Sequence, residues 1–473
     1  MNLAKSLKWW ERYGEYVLMV TAYQDAVIAE ANDCTFKDAD GNEYLDMCSG
    51  QVCALVGHNH PEMVRRVSQQ MERVVHTGTS FLSPVVFEAS AKIAEIAPGD
   101  LSKSILLSTG AEANEYALRL AKTYTGKTGV LSLTKGYAGL TLATTSLSNY
   151  GKSAYPVVPG SGYLLTPDPT ECPPDQSPID YARELLYESL ELNRGLLNNV
   201  AAIIVEPILS AGGLVVLPDG YLRELRAVAD ELDALLISDE AQTGMGRTGR
   251  WFGVQHDGVV PDILVLSKGA GGGFPFSAVV TTPAIADKVI GRANQYSSHQ
   301  SDPLGAAAAL ALIEIIEAKD LMRNAVEMGN YMIGRLEKLA EHRPQLAHVR
   351  GRGLMVGFDV FRDPGKRTPN SDDGRAVQDY CLAQGLHLQC IQQNRFRILP
   401  PLTIRQNDID RFIAVLDAAL AALASGAAKP HQAENPYTAA VQARKSGVLW
   451  KTLQWAWTHS PKTWSEKLRA SLK

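Results

Sequence analysis

Short apolar runs alternate with amphipathic segments between residues 104 and 281. Six runs rich in branched aliphatic side chains are predicted as strands, at residues 104–107, 129–133, 201–205, 234–238, 262–266 and 277–281. Three segments between them repeat apolar residues at helical spacing, at 113–124, 180–193 and 220–232. This pattern predicts an α/β domain whose mostly parallel sheet is covered by helices on both faces. Ligands of such a sheet bind at the carboxyl ends of its strands.

The pattern changes after Pro303, where longer helices and fewer strands predict a smaller α+β domain. Helices are expected at 304–318, 322–342, 375–385 and 408–424, and strands at 351–360 and 396–398. The chain is therefore divided into an N-terminal segment at 1–60 that packs with the small domain, a large domain at 61–310, the small domain at 311–424 and a tail at 425–473. The N-terminal segment contains a hairpin around Asp40 and Gly41.

The tail contains tryptophans at helical spacing. Trp450, Leu453 and Trp457 are spaced at i, i+3 and i+7 and predict one apolar stripe on a helix. Such a helix docks on the body of the protein, on a second subunit or on a membrane surface. The mildly basic character of the segment favours docking on protein.

Composition narrows the class of partner. The 473 residues carry 46 Lys+Arg against 51 Asp+Glu, and 45% are hydrophobic, which excludes a disordered chain and disfavours a nucleic-acid binder. We expect small-molecule chemistry, no nucleic-acid partner and no membrane span, because no apolar run approaches roughly 18–20 residues. The six cysteines form no C-x-x-C pair, and the N-terminus lacks a signal-peptide pattern. We therefore expect a cytoplasmic protein.

Three consecutive predicted strands each end in a different chemically active side chain. Glu206 follows one apolar run, Asp239 the next, and Lys268 the third. One carboxylate at a strand end is most often a structural cap, but three such residues at one edge of a sheet indicate a site. A partly desolvated lysine there is a suitable nucleophile toward carbonyl groups.

A carbonyl cofactor such as pyridoxal phosphate needs four features, and each has a candidate. Lys268 supplies the amine, and Asp239 supplies a carboxylate for the pyridine nitrogen. The run Thr109, Gly110 and Ala111 opens a helix, where backbone amides bind phosphate, although an ordinary N-cap explains it equally well. Tyr137 is a candidate for stacking on the ring, or else a turn residue between two glycines.

The sequence resembles the class III aminotransferases, which belong to the fold type I group of pyridoxal phosphate enzymes. The resemblance is carried by Glu206-Pro207, by LISDEAQTGMGRTGRWF and by GVVPDILVLSKGAGGGFPFSAVV. It extends from about residue 20 to about residue 422 and includes GHNHP, STGAEANEYALRLAK and FRILPPLTI. The resemblance implies a fold type I transferase with a large seven-stranded-type sheet domain, a smaller α+β domain, and amino acid and keto acid substrates.

The resemblance also implies roles for individual residues. Lys268 would join the cofactor covalently and move protons, Asp239 would pair with the pyridine nitrogen, and Gln242 would contact the phenolic oxygen. The phosphate would bind Thr109, Gly110 and Ala111, and Tyr137 would stack on the ring. Ser298 would reach the phosphate of a neighbouring subunit, which implies a homodimer with shared active sites, alone or paired into a tetramer.

The substrate side is implied in the same way. Arg397 would bind a substrate carboxylate through its guanidinium fork, and Glu206 is expected near it, either as its ion-pair partner or as a group that releases it. The family usually has His after the stacking residue, and here Ala138 stands in that place. The hydrogen bond of that His is therefore lost.

Gln51 gives the most specific hypothesis. Its segment SGQVCALVGHNHP resembles the 2,2-dialkylglycine decarboxylases of the family, in which a Gln holds a carboxylate out of the ring plane. This favours loss of CO₂, followed by amino transfer to a keto acid such as pyruvate. As an alternative, Gln51 only caps backbone groups. Thr79 and Asp302 offer oxygens for an alkali ion, but two oxygens do not predict a metal.

Three other functions remain open. The first is ordinary transamination of an amino acid or amine without decarboxylation, and the second is an ammonia- or phospho-lyase reaction on the same scaffold. The third is a catalytically silent binding or structural protein, which the presence of Lys268, Asp239 and Thr109 disfavours.

Overall fold

The structure, a computed structural model, describes residues 1–148, 157–439 and 442. The N-terminal part contains helix α1 at Ala4–Tyr13 and strands β1 at Ile28–Asn32, β2 at Thr35–Asp38 and β3 at Glu43–Asp46. β2 and β3 flank the turn at Asp40 and Gly41, so the predicted hairpin position is confirmed. The tail helix predicted from Trp450, Leu453 and Trp457 lies outside the described residues.

Two compact units make up the chain. The first comprises Met1–Ala31, Phe36–Glu43 and the described residues from His431 onward, and the second comprises Asn32–Thr35 and Tyr44–Pro430. The division expected from the sequence, with boundaries at 60, 310 and 424, stays a prediction.

The first unit is held together by a buried carboxylate. Asp25 accepts hydrogen bonds from the backbone N–H of Glu434 at 2.9 Å, from Asn435 and from the imidazole of His431. Burial opposes ionisation of Asp25, but these hydrogen bonds hold its pKa below the ordinary value. The beginning of the chain and its C-terminal segment are therefore tied to each other.

A seven-stranded sheet is the centre of the second unit. Its strands lie in the order β4-β12-β11-β10-β7-β5-β6, with β12 antiparallel to both neighbours and the other pairs from β11 to β6 parallel. The strands in the middle of the chain are β4 Lys103–Leu107, β5 Gly129–Leu133, β6 Ser161–Leu164, β7 Val200–Val205, β8 Ile208–Leu209, β9 Val215–Val216, β10 Leu235–Asp239, β11 Ile263–Leu266 and β12 Ser277–Thr281. β8 and β9 form a separate pair. All six predicted strands of this region are confirmed.

Both faces of the sheet are buried. Alternate residues of one strand enter opposite cores: Ile203 packs in the larger core, whereas Ile204 packs in the core beneath helix α5, Gly110–Thr125. This explains why the strands appear in the sequence as continuous apolar runs. The helices before α10 are α2 Ser49–Val52, α3 Pro61–Arg73, α4 Pro84–Ile96, α5, α6 Leu142–Ser146, α7 Pro178–Leu192, α8 Tyr221–Glu231 and α9 Pro283–Val289.

The C-terminal part of this unit contains a smaller antiparallel sheet in the order β13-β14-β17-β16. Its elements, with a short strand that pairs with β3, are α10 Pro303–Ala318, α11 Leu321–His342, β13 Leu346–Arg352, β14 Met355–Val360, α12 Ser371–Ala383, β15 Leu386–His387, β16 Gln389–Gln392, β17 Arg395–Ile398 and α13 Gln406–Ala424. The strand predicted at 351–360 is confirmed for Met355–Val360, but its first two residues belong to a separate strand, β13. Gly353 adopts φ +56° and turns the chain between β13 and β14.

Over the described part of the chain, no helix is both long enough and apolar enough to cross a membrane.

Candidate active site

The three strand-end residues lie at one edge of the large sheet. β7, β10 and β11 are adjacent and parallel, and Asp239 lies opposite Val265 in the β10–β11 register. Glu206 follows β7, and Lys268 follows β11 after one intervening residue. The positive charge of Lys268 favours the ionised form of both carboxyl groups. The carboxyl edge of the sheet therefore brings together an amine and two acids.

Asp239 is a buried carboxylate with its own donors. Its Oδ2 accepts from the side-chain amide of Asn114 at 2.7 Å, and its Oδ1 accepts from the backbone N–H of Ala241 at 3.0 Å. Burial raises the pKa of Asp239, while Lys268 and these two donors oppose the rise. A cationic N–H placed against this carboxylate would donate a further hydrogen bond to it and would favour its ionised form.

Asn114 is a site residue that the sequence reasoning missed. The same amide group that donates to Asp239 also donates to the carbonyl of Ala138 at 2.8 Å. It therefore links the strand-end carboxylate to the loop that carries Tyr137. Its spacing in the sequence could have identified it, because Asn114 lies one helical turn after Gly110 and on the same face of α5.

Glu206 holds the backbone of the residue predicted to stack on the cofactor. Its Oε1 accepts from the backbone N–H of Tyr137 at 2.8 Å. Burial raises the pKa of Glu206, and the neighbouring charge of Asp239 raises it further. Tyr137, Glu206 and Asp239 line one small cavity at the carboxyl edge of the sheet. Glu206 is thus placed both to shape this cavity and to carry a proton.

The N-terminus of α5 lies beside the lysine loop. The hydroxyl of Thr109 accepts from the backbone N–H of Glu112 at 3.3 Å, so Thr109 is a helix cap, as one of the two sequence interpretations expected. The next N–H groups, of Gly110 and Ala111, belong to the first turn, where a helix supplies no acceptor. A Cβ atom on Gly110 would lie 3.1 Å from Oγ of Ser267. The close approach favours glycine and sets the helix start against the residue that precedes Lys268.

Arg397 lies on β17 with its guanidinium buried, and three neutral side chains accept hydrogen bonds from it. Its Nη1 donates to Ser210 Oγ and to Gln242 Oε1, each at 3.3 Å. Its Nε and Nη2 donate to Gln389 Oε1 at 2.9 and 2.6 Å. Glu206 accepts from the backbone N–H of Tyr137, and its expected pairing with Arg397 stays a prediction. Gln389 and Ser210 were missed in the sequence, whereas Gln242 was expected at this site.

Gln51 lies on a loop with unusual backbone angles, and the carboxylate of Asp46 holds this loop in place. Within α2 Gly50, the neighbour of Gln51, adopts φ +65°, and both residues depart from helical geometry. The buried carboxylate of Asp46 accepts from the N–H of Gly50 at 2.5 Å and from His58 and His387 at 2.8 Å each. Burial opposes ionisation of Asp46, but the bonds from His387 and His58 hold its pKa well below the ordinary value.

Ser298 lies on the surface of the chain. Four residues further on, Asp302 pairs with Nδ1 of His76 at 2.6 Å and of His299 at 2.5 Å. The role of Ser298 at the phosphate of a second subunit stays a prediction.

These residues fit pyridoxal phosphate. Lys268 would bind the aldehyde carbon, Asp239 the pyridine nitrogen and the first N–H groups of α5 the phosphate. Gln242 is buried next to Arg397 and is available to the phenolic oxygen. The assignment of each role stays a prediction, but the donor and acceptor types match the cofactor group by group.

Residues 19–420 match the family model described as aminotransferase class-III. This chain belongs to the class III aminotransferase family. It is 36% identical over 409 residues to an uncharacterized aminotransferase of Schizosaccharomyces pombe, covering 83% of this chain and 90% of that protein. It is 32% identical to a leucine/methionine racemase of Thermococcus litoralis, with 85% and 92% covered. It is 32% identical to an acetylornithine aminotransferase of Methanosarcina acetivorans, with 86% and 95% covered.

Solved structures agree with this assignment. An (S)-enantioselective omega-transaminase from Thermomicrobium roseum superposes with a TM-score of 0.82 at 31% identity, covering 89% of this chain and 99% of its own. An amine transaminase from an uncultivated Pseudomonas species, solved with pyridoxal phosphate bound, gives a TM-score of 0.80 at 30% identity, with 84% and 94% covered. The fold is that of the fold type I transferases, and the protein is a pyridoxal phosphate-dependent enzyme of the aminotransferase type.

Proposed function

We propose that this enzyme moves an amino group from an amino acid or amine to a small 2-keto acid whose carboxylate binds Arg397. The observation that carries the proposal is the geometry of Arg397, a buried guanidinium at the rim of the site whose Nε and Nη2 point to the same neutral oxygen. A carboxylate matches such a fork with two oxygens and a negative charge. Relatives named as aminotransferases support this reading.

The residues of the chain have separable tasks in this proposal. When bound, pyridoxal phosphate draws electrons from the bonds of the carbon that carries the amino group. Lys268 moves the proton between that carbon and the cofactor, and Asp239 holds the proton on the pyridine nitrogen. Glu206 fixes the backbone of Tyr137, so that its ring covers the cofactor. Arg397 orients the substrate by its carboxylate.

Decarboxylation-dependent transamination is the second candidate, and Gln51 favours it. Its Oε1 accepts from Gln389 at 2.9 Å, and this hydrogen bond does not use the N–H groups of the Gln51 amide. A donor at this place would hold a carboxylate out of the ring plane and direct bond cleavage to CO₂ loss. The names of the relatives favour plain transamination, so we place decarboxylation second.

We further propose a cytoplasmic homodimer in which Ser298 of one subunit reaches the phosphate site of the other. The exposure of Ser298 supports this arrangement, because a residue at a subunit boundary must be accessible on the isolated chain. Sedimentation at micromolar concentration measures the oligomeric state directly.

The functional test supplies pyruvate together with three donors, namely an ordinary L-amino acid, a simple amine and 2-aminoisobutyrate. Alanine formed from the first two donors without CO₂ supports plain transamination. Alanine formed from 2-aminoisobutyrate with equal amounts of CO₂ and acetone supports the decarboxylating reaction. Ammonia release without a keto acid, or loss of optical purity without amino transfer, contradicts both proposals.

A pair of variants separates the two candidates. Gln51→Ala should lower CO₂ formation by about 10-fold and alanine formation from the L-amino acid by about twofold if Gln51 directs decarboxylation. Gln392→Ala, on the neighbouring strand β16, is the control and should change neither rate by more than about twofold. Equal losses in both reactions of Gln51→Ala would assign this residue a purely structural role.

A further inference from the structure

Gln389 occupies the face of Arg397 that a carboxylate would use. The two residues are directly opposite in the β16–β17 register, so their side chains are cross-strand neighbours. One amide oxygen of Gln389 accepts from both Nε and Nη2 of Arg397, at 2.9 and 2.6 Å. These are the two donors that bind a carboxylate in a bidentate pair. The amide therefore stands in the place of one carboxylate oxygen.

The other end of the same amide holds Gln51. Nε2 of Gln389 donates to Oε1 of Gln51 at 2.9 Å. A side-chain amide is rigid and planar, so its oxygen cannot leave Arg397 without moving its nitrogen. The hydrogen bonds at the two ends of Gln389 are thus mechanically connected.

A neutral partner suits this place for a physical reason. A buried guanidinium without an acceptor is costly, so Arg397 needs hydrogen-bond partners before substrate arrives. An anionic partner would compete with the substrate more strongly than an amide, which satisfies the donors and carries no charge. When a substrate carboxylate binds, Arg397 exchanges a neutral acceptor for an ionic one, and its hydrogen bonds become stronger.

We infer that Gln389 is a neutral placeholder that a substrate carboxylate displaces from Arg397, and that this displacement breaks the hydrogen bond by which Gln389 fixes the side chain of Gln51. The inference rests on the proposed function, because it takes Arg397 as the carboxylate-binding residue. It makes Gln389 a positioning residue that competes with the carboxylate of a ligand for Arg397. Substrates without one leave the placeholder in its position and Gln51 bound to it.

The test uses the cofactor-loaded enzyme and isobutyrate, a carboxylate without an amino group, as the binding probe. Gln389→Glu places a permanent negative charge on the fork and should raise the Kd of isobutyrate, measured by calorimetry, by at least about 10-fold. The KM for pyruvate should rise by a similar factor, while kcat at saturating pyruvate stays within about threefold. A merely structural role would lower kcat and leave the KM unchanged.

Gln392→Glu is the matched control, since it adds the same charge three residues away on the same strand. Gln392 donates to the carbonyl of Ala211 and faces Arg395 in the register. The Kd of the Gln392→Glu variant for isobutyrate should stay within about twofold of the wild-type value. Equal weakening in the two variants would overturn the inference, because it would show only a general charge effect.

The link to Gln51 is tested by a double-mutant cycle. Gln389→Ala removes the competitor and should tighten isobutyrate binding by about threefold. In a Gln51→Ala background the same change should have a smaller effect, with a coupling factor of at least about twofold. Strict additivity would overturn the coupling between the two amides.

Failure of the inference is distinguishable from failure of the proposed function. If the wild type forms alanine from pyruvate and Gln389→Glu binds isobutyrate normally, the placeholder is wrong and transamination stands. If the wild type forms no alanine but its isobutyrate affinity depends on Gln389 as predicted, the placeholder stands and the transamination proposal is wrong.

Discussion

The site joins two regions that are built differently, the edge of the buried sheet and the rim around Arg397. At the edge, Asp239 and Glu206 are fixed by regular strands and carry charge or a proton in a buried place. At the rim, Gln51 and Gln389 are joined across 338 positions of the chain by one hydrogen bond between neutral amides. In our proposal the edge holds the cofactor, and the rim exchanges one hydrogen-bond partner for another. Reversible binding of a ligand is easier where the hydrogen bonds that it replaces contribute little free energy.

The largest effect is expected at the edge, from loss of the carboxylate charge. Asp239→Asn keeps the shape of the side chain but no longer stabilises a protonated pyridine nitrogen, so kcat should fall by about 10²- to 10⁴-fold. Steady-state kinetics with any accepted donor and pyruvate measures the loss. Asp219→Asn, at an exposed ion pair with Arg352, is the control and should retain normal activity.

A near-normal kcat in Asp239→Asn would contradict a catalytic role of the Asp239 charge, because the buried edge would then be only a structural support. A loss of activity without a change in cofactor absorbance would show that the residue acts on chemistry and not on binding of the cofactor.

The second effect is expected at the rim, from the carboxylate beneath the Gln51 loop. Asp46→Asn cannot accept all of the bonds that Gly50, His58 and His387 now donate, so the free energy of unfolding should fall by about 1–3 kcal/mol. Denaturant unfolding measures it, with exposed Asp175→Asn as the control.

The pH dependence of that effect has a defined sign. The pKa of Asp46 is depressed in the folded state, so its stabilising contribution is present above the ordinary aspartate pKa and is lost as the pH falls through the folded value. The stability gap between wild type and Asp46→Asn should therefore narrow in acid. A gap that widens in acid would contradict the assignment of Asp46 as an ionised anchor.

A third effect, whose pH dependence has the opposite sign, is expected from Glu206→Gln. The pKa of Glu206 is raised by burial and by Asp239, so the folded state favours its neutral form. Wild-type stability should fall, by at most about 1.4 kcal/mol per pH unit, as the pH rises from the ordinary glutamate pKa to the folded value. Glu206→Gln lacks this loss and keeps an oxygen for the N–H of Tyr137.

Thermal unfolding of both proteins across this pH range measures the difference. The curves should diverge toward alkaline pH, with the variant the more stable one. Parallel curves would show that Glu206 is ionised throughout this pH range and would contradict the assignment of a proton to the buried edge.

The sequence predicted the edge better than the rim, and the reason is physical. A strand followed by a polar residue is a local pattern, so Glu206, Asp239 and Lys268 could be recognised one at a time. The partner of Gln51 could not, because β16 is short and only tertiary packing brings Gln389 to the loop. Asn114 was missed because an Asn within a helix is ordinarily a solvent-facing residue.

Errors in the fold have equally specific causes. Strand β6 has the sequence SGYL, which is too polar and too small to stand out, and among the described strands it lies at the edge of the sheet next to β5. The strand expected at 351–360 begins in β13 and continues in β14, because Gly353 adopts a left-handed conformation and turns the chain. The tertiary role of such a glycine is not visible in the hydrophobic pattern.

The central claim is that Lys268 is the amine that binds the cofactor, and one chemical experiment tests it most directly. The native enzyme is reduced with borohydride, digested, and its peptides are mapped for the pyridoxyl group. We predict a single modified peptide with the group on the side chain of Lys268. Modification of another lysine, or of none, would contradict the account of the site given above.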